Sequence, residues 1–186
     1  MIDFFKCPQD WLDFFYRDDV KSILDEQEEK GIAIEFEPFY KIPYHRVNVV
    51  ILSVKNKKYE YQYSIRHISK SFQEIYKELE NEGYYPTKDG NIDHWYKNGI
   101  LFFDASSLPL SLTEKIIDFL NEKKDIIWLF LNEEKEIREV LSNISNTPSS
   151  TSVFFNDPLS KSFSGCNVFK KIDKILKSQG EDTISW

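Results

Sequence analysis

Val47-Asn48-Val49-Val50-Ile51-Leu52 is a short β-branched apolar run, the composition of a strand buried on both faces of a parallel sheet. Three comparable runs follow: Gly99-Ile100-Leu101-Phe102-Phe103-Asp104, Ile126-Ile127-Trp128-Leu129-Phe130-Leu131 and Val153-Phe154-Phe155. Segments of helical period lie between them. The stretch 71 to 82, opening Ser71-Phe72-Gln73-Glu74-Ile75-Tyr76, carries apolar residues at i, i+3, i+4 and i+7 after a capping serine. Leu112 to Leu120 reads as a helix, 133 to 142 as a charged one, and the chain beyond Cys166 as an amphipathic helix stopping at Gly180. Ahead of the first strand, a stripe from Trp11, Leu12, Phe14 and Phe15 to Ile23 and Leu24 predicts one helix, with Asp10 as N-cap and Gly31 as stop. The polar stretch 142 to 152 is a loop. Strands alternating with helices predict a single α/β domain over residues 1–186, a central four-stranded parallel sheet flanked by helices.

Composition narrows the class. At 186 residues the chain suits one hydrophobic core. It holds no run of about 18 apolar residues, so no membrane partner is expected. Met1-Ile2-Asp3-Phe4-Phe5-Lys6 lacks the basic and long apolar regions of a secretory signal. Cys7 and Cys166 are too few and too distant for a disulfide framework or a zinc site. These features predict an intracellular protein, cytoplasmic or nuclear, with no metal and no cofactor.

The net charge of −7 is unevenly spread. Residues 1 to 37 carry 11 Asp and Glu against four Lys and Arg, which accounts for the whole excess. Residues 41 to 70 instead hold Lys41, Arg46, Lys55, Lys57, Lys58, Arg66 and Lys70 against Glu60 alone. Lys161, Lys170, Lys171, Lys174 and Lys177 face only Asp173. Such lysines either form a solvated surface or meet phosphates.

Asn156-Asp157-Pro158-Leu159-Ser160, leading into Ser164-Gly165-Cys166, a helix and Ile184-Ser185-Trp186, resembles the C-terminus of family-1 uracil-DNA glycosylases. In that family the segment reads histidine-proline-serine-proline-leucine-serine, then a glycine-aromatic-aromatic-glycine-cysteine turn, a helix and isoleucine-aspartate-tryptophan. Upstream, the helix opening at Ser71 resembles the family's serine-leucine-x-x-isoleucine-tyrosine-lysine-glutamate-leucine, without the prolines ahead of it. The approach Asp93-His94-Trp95-Tyr96-Lys97-Asn98-Gly99 is similar to leucine-x-x-tryptophan-x-x-x-glycine. The resemblance spans about residues 11 to 186 and implies the family's fold.

The same alignment places different chemistry at the family's working positions. Phe155 stands at the transition-state histidine, and Lys55 at the aspartate that serves the attacking water. Val54 precedes it, Tyr63 falls at the phenylalanine that stacks on the flipped base, and Asp104 at the asparagine that grips the uracil edge. An aspartate there keeps an acceptor and loses the amide donor. Val54, Tyr63 and Asp104 thus make a degenerate base pocket. By the same resemblance Lys55, Lys57, Lys58, Ser71, Leu159, Ser160 and Lys161 are the DNA-binding candidates. Leu159 aligns with the leucine that wedges into the duplex, or else simply packs in its loop. The histidines His45, His67 and His94 show no metal-ligand spacing.

Catalytic residues act as a unit, so four altered positions predict a protein that is no enzyme. The expected role is a binding component on DNA, or on a protein of a replication, repair or mobile-element apparatus, of open oligomeric state. Two alternatives stand beside it. One is an active DNA glycosylase of changed specificity in which Asp104 or Asp157 supplies the base. The other is a protein-interaction factor using the acidic N-terminal third. If Lys55, Lys57 and Lys58 touch phosphates, replacing them with alanine flattens the slope of log affinity against log salt by about 0.9 for each duplex phosphate that is no longer neutralised. A salt titration monitored by fluorescence anisotropy reads that slope.

Overall fold

Val49–Ser53 (β1) is buried along its whole length because a strand pairs with it on each side. The computed structural model describes residues 2–3, 5–54, 63–64, 67–132, 134–135 and 152–186. Tyr63–Ser64 (β2) and His67–Ile68 (β3) form a small antiparallel ribbon. Ile100–Asp104 (β4), Ile127–Phe130 (β5) and Ser152–Phe155 (β6) join β1 in a parallel sheet of order β4-β1-β5-β6, with Val50 opposite both Leu101 and Trp128. The predicted four-stranded parallel sheet is therefore present, and all four of its strands fall within the predicted apolar runs to within a residue.

The α-helices lying wholly within the described residues are Gln9–Phe15 (α1), Asp18–Glu29 (α2), Glu37–Lys41 (α3), Lys70–Asn81 (α4), Asp93–Lys97 (α5), Leu110–Asn121 (α6) and Val168–Gln179 (α7). Successive side chains of a strand point to opposite faces, and β4 shows which helices cover each. Phe103 meets Phe39 of α3 at 5.6 Å, and Phe39 meets Trp11 of α1 at 4.9 Å. Trp11 in turn lies 5.6 Å from Phe119 of α6. On the other face, Phe102 packs against Phe72 of α4 and Trp95 of α5, each at 6.2 Å. Trp95 continues to Trp186, and Trp186 to Phe169 of α7 at 4.7 Å. The result is a sheet between two helical layers with an aromatic core in each. Gly99, which precedes β4, has φ +88°, and a Cβ there would lie 3.1 Å from the Arg46 carbonyl oxygen. Only glycine meets both conditions without strain.

Two sequence expectations are corrected. The helix predicted from residue 11 to 24 is broken between α1 and α2, where Arg17 is extended and its carbonyl accepts from Val20 and Lys21. Arg17 is held there by α6: its guanidinium lies 4.7 Å from the Phe119 ring centroid and pairs with Glu122 at 3.1 Å. Asp10 is not the N-cap, a position taken by Pro8. Its carboxylate instead accepts from the backbone of Trp11 (2.9 Å) and His45 (3.1 Å), which ties α1 to the entry of β1. The helix predicted at 133–142 is described only at 134–135, and the loop predicted at 142–152 lies, except for Ser152, outside the described residues.

α4 begins one residue before the predicted stretch, and its N-cap is Ser69, whose Oγ accepts from Phe72 N. Its far end carries two buried acids. Glu78 accepts from the backbone N–H of Gly165 (2.6 Å) and Asn167 (2.9 Å). Glu82 accepts from Phe169 (3.3 Å) and Lys170 (2.5 Å). The Asn167 side chain makes no cap bond, so Glu82 satisfies first-turn donors of α7 from another helix. Burial pushes both carboxyls up. At Glu78 the Gly165 and Asn167 N–H groups outweigh burial and hold it below the usual glutamate value, whereas Glu82, beside Glu78, stays above it. Along α7, Asp173 accepts from Tyr84 Oη (2.6 Å), Ile184 N (3.2 Å) and Trp186 Nε1 (3.2 Å). Glu82→Ala strands the buried Phe169 N–H and the part-buried Lys170 N–H, so it is expected to cost about 1–3 kcal/mol. A lower urea midpoint at unchanged m-value checks this.

Candidate active site

Ligands of open parallel sheets sit beyond the carboxyl ends of the strands. At that end β1 leaves through Ser53 and Val54, β4 through Asp104, β5 through Leu131 and Asn132, and β6 through Asn156 and Asp157. Register puts Ser53 and Asp104 side by side. The Ser53 hydroxyl is fully buried and has no hydrogen-bond partner among the described residues.

Asp104 is partly exposed, and its Oδ1 accepts from the backbone N (2.9 Å) and Oγ (2.7 Å) of Ser106. It thereby caps the short 3-10 turn Ala105–Ser107. Asp157 is only 5% exposed, and its Oδ1 accepts from Leu159 N at 2.8 Å. β4 and β6 are the two edges of the sheet, three strand intervals apart. At about 4.8 Å per interval their ends are separated by roughly 14 Å, too far for the two strand ends to present a carboxylate dyad.

The other sequence candidates are distributed as follows. Phe155 is half-buried and stacks on Phe130, with ring centroids 5.1 Å apart. Val54 is buried at the exit of β1. Tyr63 lies in β2, opposite Ile68 of β3. Lys55, Lys57 and Lys58 lie outside the described residues. Ser71 is 1% exposed within the first turn of α4 and presents almost no surface to a phosphate. Leu159 is half-buried against the core, Ser160 shares a 2.9 Å hydroxyl contact with Ser162, and Lys161 is exposed. The His45 ring pairs with Asp10 at 3.0 Å, whereas His94, whose pKa burial lowers, lies beside Trp95.

One residue that shapes this end went unread in the sequence. Asn132 is buried; its Oδ1 accepts from Val54 N (2.9 Å) and its Nδ2 donates to Val54 O (3.1 Å). It extends the ladder by one side-chain rung and fixes the Val54 backbone at the exit of β1. The only signal for it is an amide directly after a wholly apolar strand.

Other reactive groups are committed elsewhere. Burial pushes the Cys7 and Cys166 thiols up to about 11, so neither is a ready nucleophile. Cys166 lies with Glu78 and Glu82 in a compact group, but each of the four carboxylate oxygens already accepts a backbone N–H. A polar cavity of about 530 Å³ opens at the opposite, amino end of the sheet, around Asn48, Gly99 and Lys123. There the Lys123 ammonium donates to the carbonyls of His45 and Val47, and burial lowers its pKa. Among the described residues no helix is long and apolar enough to cross a membrane.

Known proteins share this chain's sequence over most of its length, although no family model matches it. It is similar to the uracil-DNA glycosylase of Fusobacterium nucleatum, 24% identical over 80% of this chain and 76% of the relative. It is also similar to those of Aliivibrio salmonicida (28%, covering 81% and 79%) and Psychromonas ingrahamii (26%, covering 92% and 94%). Six curated relatives at 24–30% identity all carry the name uracil-DNA glycosylase, one of them as uracil-DNA glycosylase 2. The expectation that the chain is no enzyme is corrected by this finding: every one of these relatives is named for an enzymatic activity. Altered residues at four positions do not by themselves make a protein inactive, because another group can take over the role.

Asn132→Ala leaves the backbone N–H and C=O of buried Val54 without these bonds, and is expected to cost about 2 kcal/mol. That corresponds to a fall in melting temperature of roughly 4–8 °C, readable by circular dichroism.

Proposed function

We propose that this chain is a member of the uracil-DNA glycosylase family and cleaves the N-glycosidic bond of a base in DNA, with a catalytic group that differs from the family's aspartate. The observation that carries the reading is the name shared by all six relatives, over alignments that reach 94% of a relative's length. In this reaction water attacks C1′ of the sugar, the C1′–N bond breaks, and the base leaves with the bonding pair. A carboxylate beside C1′ takes the proton of the water and stabilises the positive charge on the sugar ring.

Among the described residues, Asp104 is the carboxylate best placed for that work. It ends the strand next to β1, one interval from the exit where the resemblance puts the family's aspartate, and it is partly exposed. Asp157 lies beyond an edge strand, is nearly buried, and holds the turn that carries Leu159. Loss of the amide donor at position 104 and of the histidine at 155 supports a base preference different from uracil.

The test is release of base from single- and double-stranded oligonucleotides containing uracil or another modified base, detected as alkali-labile abasic sites. The intact protein is expected to release base, and Asp104→Asn, which keeps an oxygen for Ser106, to lower the rate by about 100-fold or more. Absence of abasic sites from every strand defeats the glycosylase reading. Release at undiminished rate by Asp104→Asn, shifted toward uracil, assigns Asp104 to the base edge and overturns its role as proton acceptor.

A further inference from the structure

Outside the site at the strand ends, α2 and the segment 31–36 enclose an apolar groove of about 310 Å³. Its walls are made by Ile2, Phe15, Leu24, Ile32, Ile34 and Phe36. Ile32 is 50% exposed and the adjoining Tyr16 47%, so large apolar surface faces water at the mouth. The volume is at the lower end, about 300 Å³, of sites that take small molecules, and suits one or two large side chains.

Charge at the rim indicates what carries those side chains. α2 has six acids, Asp18, Asp19, Asp25, Glu26, Glu28 and Glu29, against Lys21, and Asp25 and Glu28 line the groove itself. Three of the six fall in its last four residues, at the negative end of the helix dipole, where cations are favoured. Lys30 answers Glu26 at 2.5 Å, and Lys21 answers Asp25 at the same distance. Acidic side chains still outnumber basic ones along α2 and its flank, so this end of the helix gains from a cationic neighbour.

We propose that this groove is a docking site for a basic amphipathic helix of a partner protein. One large apolar side chain of that helix seats between Leu24, Ile32 and Ile34, and lysines or arginines a turn to either side meet Asp25, Glu28 and Glu29. The mode is that of a helix laid in a hydrophobic groove, with charge setting the choice of partner.

An 18-residue leucine-lysine amphipathic peptide is the probe, and a leucine-glutamate peptide of the same length is its control. Titration into the isotopically labelled full chain, followed by amide chemical shifts, is expected to move resonances of residues 16–36 with the lysine peptide and not with the control. Ile32→Glu, a change at a half-exposed loop position, is expected to weaken binding by about tenfold or more. Glu28→Lys is expected to weaken it several-fold and to flatten its salt dependence. Base-release activity is unchanged in both. Equal binding by the leucine-glutamate peptide overturns the proposal, as does binding insensitive to Ile32→Glu or shifts centred elsewhere on the chain. Self-association of the chain in sedimentation that Ile32→Glu abolishes assigns the groove to a second copy and overturns it equally.

Discussion

Two carboxylates on one helix fix where the chain from Gly165 into α7 lies. Glu78 and Glu82 emerge one turn apart from the buried face of α4, and between them they receive the backbone N–H groups of Gly165, Asn167, Phe169 and Lys170. Burying an acid is costly unless its oxygens are occupied, and here each oxygen is. The same contacts relieve the open donors at the start of α7, whose own cap residue makes no side-chain bond. The turn from Asp157 to Phe163 is therefore anchored at both ends, by β6 on one side and by α4 on the other. Leu159 and Ser160 sit in a loop whose position is dictated by a helix more than 75 residues earlier in the chain.

The alternation of buried strands and amphipathic helices is legible in the sequence because periodicity and burial are local properties. What escaped is non-local. The α1–α2 break is invisible in the apolar stripe because both helices bury the same side, and the break is held by Arg17 against Phe119 and Glu122. Glu78 and Glu82 look like members of a charged helix face until their partners, over 80 residues away, are in place. Strand order is equally silent in the sequence, and it is strand order that separates Asp104 from Asp157.

The functional end shows the same division. Resemblance identifies which side chains have changed, namely Lys55, Tyr63, Asp104 and Phe155. It does not show what the remaining groups do, and a count of changes alone predicts no enzyme, against the enzymatic name that all six relatives carry. Geometry adds that Asp104 adjoins the exit of β1 and that Asn132 fixes the Val54 backbone at that exit. Neither could be inferred from spacing, because both depend on which strands are neighbours.

The place of β1 in the sheet also constrains how the protein is made. It pairs on one side with β4, which begins at Ile100, and on the other with β5, which begins at Ile127, 78 residues after Val49. On a ribosome elongating at about 5–20 residues per second, the nascent β1 waits roughly 4–15 s for its second neighbour. During that interval Val49, Val50, Ile51 and Leu52 have an open hydrogen-bonding edge, a template for pairing with other chains. That interval is the one in which a chaperone that shields nascent apolar strands acts on β1.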